Sequence, residues 1–118
     1  MVKRRKTKVP PPPSECPVSE CMKLIGSAWT ANIIWYLRDG ERCFTELQSD
    51  VRGVSAKVLA SRLHTLQREG IAERIARATS PPTVWYALTP LGQELGRALA
   101  EVIDIGQRLR RARERAAS

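Results

Sequence analysis

Ser55-Ala-Lys-Val-Leu-Ala-Ser-Arg-Leu-His-Thr-Leu-Gln-Arg-Glu-Gly70, with the two β-prone runs behind it, is the stretch from which the fold of this 118-residue chain is read. Ser55 is a good N-cap, and Leu59, Leu63 and Leu66 recur at i, i+4 and i+7. Gly70 supplies the left-handed residue that ends a helix. The helix therefore has one apolar stripe, and its other face carries Lys57, Ser61, His64 and Arg68. Ile71-Ala-Glu-Arg-Ile-Ala-Arg77 and Thr83-Val-Trp-Tyr-Ala-Leu88 then read as two strands, joined by Thr79-Ser80-Pro81-Pro82 at the tip.

Working back towards the N-terminus, Phe44, Leu47 and Val51 mark a short helix, and Arg52-Gly53-Val54 is a tight connection into the helix at Ser55. Trp29, Ile33, Ile34 and Leu37 repeat with helical period behind a Thr30 cap, and Asp39-Gly40 ends that run. Val18, Cys21, Met22 and Ile25 form the apolar face of a first helix that opens at Cys16-Pro17 and stops at Gly26-Ser27. After the hairpin, Thr89-Pro90 caps and opens a long helix with Leu91, Leu95, Leu99, Val102, Ile103 and Leu109 on one broad side. Two helices across a tight turn, a hairpin and a long last helix describe an α+β, mainly α fold: a winged helix-turn-helix with a two-stranded wing.

The length allows one domain with one modest core, here residues 16–107. Residues 1–15, with a basic cluster and four consecutive prolines, read as a flexible arm, and residues 108–118 as an arginine-rich tail. The formal charge of +8 lies at these two ends. Lys3, Arg4, Arg5, Lys6 and Lys8 supply one cluster, Arg108, Arg110, Arg111, Arg113 and Arg115 the other. Such ends attract a polyanion without reading its sequence, or simply keep the chain soluble; beside a helix-turn-helix, nucleic acid is the favoured reading.

Other function classes fall away on composition. One histidine, no nucleophile–base constellation and no glycine cluster to cradle phosphate argue against an enzyme and against a cofactor. Cys16, Cys21 and Cys43 match no zinc spacing, so neither a metal site nor a disulfide framework is expected. No apolar run is long enough for a membrane span and no signal-peptide stretch follows the basic cluster, which points to the cytoplasm.

Double-stranded DNA is the expected partner. Ser55, Lys57, Ser61, Arg62 and His64 on the helix, with Arg74 and Arg77 on the hairpin, are the candidate contacts to bases and phosphates. Each has a plainer reading. His64 can be a solvated surface residue, Arg62 can brace the preceding short helix through Glu46, and the hairpin cations can be merely solvated. Trp29, Trp35 and Trp85 occupy positions that assign them to core packing. The last helix carries more apolar positions than so small a domain can cover, which assigns Leu95, Leu99, Val102 and Ile103 to a homodimer interface.

Cys16-Pro17-Val18, Leu24-Ile25-Gly26-Ser27 with Trp29, Phe44 with Glu46-Leu47, Gly53-Val54-Ser55, Lys57-Val58-Leu59, Arg62-Leu63 and Tyr86 with Leu88-Thr89 and Gly92 carry a resemblance. Over residues 16–107 the chain resembles the HxlR-type winged helix-turn-helix transcription regulators, related in architecture to the MarR group. The resemblance implies a homodimer on operator DNA whose first and last helices form the interface, which adds Val18 and Met22 to it. It also implies that Cys16, the cysteine of the Cys-Pro-Val motif, senses a small-molecule oxidant or electrophile. Ala28 and Cys43 stand where that family commonly has basic residues, and Cys21 is atypical too. The expectation is a repressor reading a near-palindrome with half-sites about one helical turn, ~34 Å, apart or a multiple of it. The rival is a winged helix that holds a protein partner, or an architectural DNA protein with little sequence preference.

Overall fold

A computed structural model describes residues 9–10 and 17–117 of the chain. Helix α1 runs Pro17–Ile25, α2 Thr30–Leu37, α3 Phe44–Asp50, α4 Ala56–Arg68 and α5 Pro90–Ala117. Strands β1 (Arg42–Cys43), β2 (Ala72–Arg77) and β3 (Thr83–Leu88) complete the order α1-α2-β1-α3-α4-β2-β3-α5. The winged helix-turn-helix is thus present, with α3 and α4 as its paired helices and β2–β3 as the wing.

The apolar repeats close on one core. Ile33, Ile34 and Leu37 of α2, Leu47 of α3 and Leu59, Leu63 and Leu66 of α4 are fully buried together. Tyr86 and Leu88 of β3 and Leu99 of α5 belong to the same cluster. At the start of α4 the Ser55 hydroxyl accepts the Val58 N–H at 3.1 Å. At its end Gly70 takes φ +76°, which lets Ile71 N–H return to the Leu66 carbonyl at 2.9 Å. Thr89 locks the next corner: its hydroxyl accepts Gly92 N–H at 3.1 Å, capping α5, and donates to the Gly70 carbonyl at 2.6 Å.

Several elements differ from the expectation. β2 and β3 pair antiparallel from Ala72↔Leu88 to Arg77↔Thr83, but β1 joins on the other edge of β3 through Arg42↔Tyr86 and Cys43↔Trp85. The two-stranded wing is therefore the outer part of a three-stranded sheet in the order β1-β3-β2. Thr30, expected as a cap, is the first helical residue and is buried; Trp29 precedes it at φ 76°, ψ −14°. The arginine-rich segment continues α5 as helix to Ala117, and every residue from Asp104 to Ala117 is exposed. Trp35 is not a core residue: it is 41% exposed, with the Arg38 guanidinium 4.9 Å from its ring centre. Cys21, placed on the apolar face of α1, is exposed as well, because that face has no buried residue.

Candidate nucleic-acid interface

The leucine stripe of α4 turns Lys57, Ser61, His64 and Arg68 outward, where they lie exposed along one face of the helix. Lys57 and Ser61 sit in its first two turns, the part of a recognition helix that meets base edges. Ser55 is exposed beside them; its oxygen accepts the capping bond, and its hydroxyl proton is left to donate outward. The cap holds the exposed N-terminal N–H groups of α4 in helical register, and that end of the helix favours an anion such as a phosphate.

Two of the candidate arginines are committed elsewhere. Arg62 is half-buried, and its Nε–H donates to the Ala28 carbonyl at 2.9 Å. The expected alternative for it, an ion pair with Glu46, is not formed. Glu46 instead accepts Cys43 N–H at 3.0 Å and lies 3.9 Å from the Arg42 guanidinium. Arg77 is ion-paired with Glu41 and lies 5.1 Å over the Trp85 ring, so it ties the wing to the loop before β1. Arg74 is exposed on β2, and no ion pair involves it among the described residues. At the wing tip the Thr79 hydroxyl is used internally, donating to the Pro81 carbonyl at 2.6 Å.

Arg52 is the cation that the sequence reading passed over as a mere connector. It is exposed in the α3–α4 turn, four residues before the start of α4, and has no ion pair among the described residues. Its place between the two paired helices is the signal that could have found it. Cys16 lies outside the described residues. Cys43 is half-buried, with its backbone N–H held by the Glu46 carboxylate. That bond, then the Cys43 thiol and least of all Arg42, holds the Glu46 carboxyl below the ordinary glutamate value against the opposing effect of desolvation.

The residues assigned to a dimer interface separate into three groups. Val18, Met22 and Val102 are more than half exposed, and Leu95 and Ile103 are half-buried. Leu99 departs from the expectation: it is 5% exposed and belongs to the core of its own subunit, because the α5 face nearest α2 and β3 is filled internally. Among the described residues no cluster of side chains suits a metal ion, and no helix is long and apolar enough to cross a membrane.

Comparison with known proteins gives the same architecture. A family model described as HxlR-like helix-turn-helix matches residues 24–114. The HTH-type transcriptional regulator YtfH of Escherichia coli (strain K12) is 39% identical over 90 residues, spanning 76% of this chain and 71% of YtfH. The solved structure of the transcriptional regulator ytfH from Salmonella typhimurium is 34% identical, with a TM-score of 0.73 over 88% of this chain and 94% of that one. The oxidised form of the redox regulator HypR is 27% identical, with a TM-score of 0.72 over 78% of this chain and 95% of its own.

Proposed function

The chain belongs to the HxlR-like helix-turn-helix family and is a DNA-binding transcriptional regulator, not an enzyme; from that premise we propose that it acts as a homodimeric repressor of a near-palindromic operator. The observation that carries this reading is the two-sided α4, with three leucines fully buried behind Lys57, Ser61 and His64 exposed in front. In it Ser55, Lys57, Ser61 and His64 enter the major groove, while Arg52 and Arg74 lie on flanking phosphates. Arg62 and Arg77 serve the fold instead. Residues 3–8 and the arginine-rich end of α5 add attraction that does not depend on sequence. The second copy covers Val18, Met22 and Val102.

Lys57→Ala and Ser61→Ala test the reading, since neither touches the leucine stripe. Each is expected to cost about 1–3 kcal/mol at the cognate site and less on other DNA, measured by titration of a duplex selected from random sequence. Wild-type binding by both variants would put the reading head elsewhere. Uniform binding by the wild type that vanishes with salt would favour an architectural protein.

The same reading includes a redox input at Cys16, supported by the likeness to the redox regulator HypR and by the Cys16-Pro17-Val18 sequence. Oxidation by a peroxide or quinone is expected to weaken operator binding by the wild type and to leave Cys16→Ser unaffected. Equal sensitivity of the two would remove the input.

A further inference from the structure

Arg62 joins two parts of the chain that are 34 residues apart. Its Nε–H donates to the carbonyl of Ala28 at 2.9 Å, so the second turn of α4 is tied to the turn between α1 and α2. The same turn also lies beside the connection that leads into α4. Trp29 is the one non-glycine residue with positive φ among the described residues. Its indole edge lies so near Gly53 that a Cβ there would stand 3.4 Å from Trp29 Cη2. Gly53 belongs to the turn that leads into α4. One short turn thus ties down the second turn of α4 through Arg62 and lies close beside the connection that leads into it, so the bond to Ala28 is placed to set the direction of the helix.

The other end of this turn is α1, which has no buried residue and touches the core only through half-buried Leu24 and Ile25. Within its own subunit α1 is therefore lightly held, and a shift of α1 is passed on through the turn that carries the Ala28 carbonyl. We infer that Arg62 is a positioning residue: it sets the angle of the recognition helix from the α1–α2 turn, and through it the seat of α1 governs how well the operator is discriminated from other DNA. The inference rests on the assignment of α4 as the DNA-reading helix. It removes Arg62 from the DNA contacts, and it makes the coupling reciprocal, so that operator binding must be felt in α1.

The test uses the full-length chain, Arg62→Lys and Arg62→Met, and a duplex selected from random sequence by the wild type. Lysine keeps the charge but lacks the planar Nε–H that reaches the carbonyl; methionine keeps an apolar stem alone. Both variants are expected to lose about tenfold in the ratio of selected to unrelated DNA, as befits one charge-assisted hydrogen bond. The dependence of affinity on salt should stay as in the wild type. Amide exchange provides the second readout: operator binding should slow exchange in residues 18–25 of the wild type and leave them unchanged in both variants. A phosphate contact gives a different pattern. Arg62→Met would then lose affinity for all sequences alike, its log–log salt slope would fall by about 0.9, and Arg62→Lys would bind as wild type. That pattern, or protection of α1 that survives both substitutions, overturns the inference while leaving α4 as the reading helix. A wild type that selects no sequence at all overturns the assignment of α4 and the inference with it.

Discussion

Glu46 illustrates how much a single side chain contributes when it meets an orphan donor. It stands three residues after Cys43, and its carboxylate takes the Cys43 N–H at the open end of α3. The bond favours the ionised form, so the folded carboxyl titrates below its unfolded value, which is about 4.3. A depressed carboxylate contributes stability that is fully present above the unfolded value and is lost as pH falls through the folded one. Glu46→Gln keeps the acceptor oxygen and removes the titration. The wild type is therefore expected to lose stability relative to Glu46→Gln as pH is lowered from about 6 to 3, measured by denaturant midpoints across that range. Parallel curves would show that the cap does not depend on charge. Lys57, Ser61 and His64 were legible in the sequence because a leucine period fixes which face of a helix points out. Arg62 and Arg77 were not, since their partners, Ala28 and Glu41, lie 34 and 36 positions away and local spacing carries no trace of them.

At the scale of elements, periodicity did its work wherever a run was long enough to repeat. The first four helices, the start of α5 and the hairpin stand within a few residues of the sequence reading, whereas α5 runs on to Ala117 through the segment read as a tail; Gly70 and Thr89 mark the corners as expected. β1 escaped because two residues show no alternation; it exists only because Arg42 and Cys43 lie opposite Tyr86 and Trp85. Trp35 misled for a related reason. Ile34 and Leu37, either side of it on α2, fill the core completely, and a one-position offset turns an aromatic residue out. Gly92 was noted only as part of a family motif, yet it decides how α5 meets the sheet. A Cβ there would lie 2.0 Å from the Ile71 carbonyl oxygen and 3.1 Å from Leu88 Cβ, and the first of these is backbone that cannot swing aside. Gly92→Ala is expected to destabilise the domain by at least about 1–3 kcal/mol as an overpacked contact. Thermal and denaturant unfolding would check it, and a midpoint equal to wild type would mean that the start of α5 can move off Ile71 at no cost.

At the scale of the whole molecule, α5 carries two different surfaces, and a single substitution on each separates them. Leu99 is 5% exposed and packs with α2 and β3, whereas Val102, one turn further along, is 58% exposed. The apolar face continues past the domain through Ile105 and Leu109, both more than half exposed, onto a helical end that lies wholly in solvent. Apolar residues at that density on one protruding helix match a surface that a second copy covers. A carboxylate at Leu99 would be buried in its own subunit without a partner, so Leu99→Asp is expected to unfold the domain, at about 3–5 kcal/mol. A carboxylate at Val102 is hydrated in the single subunit and desolvated only on association. Val102→Asp should therefore keep the secondary structure and monomer stability of the wild type to within about 0.5 kcal/mol. Its dimer should weaken by about 3 kcal/mol or more. Sedimentation across a dilution series, read beside circular dichroism, distinguishes the two losses. Because a palindrome is read by two heads whose spacing the dimer sets, Val102→Asp should also reduce operator affinity while each subunit keeps its intact α4. An undissociated dimer of folded Val102→Asp would move the interface off this face of α5.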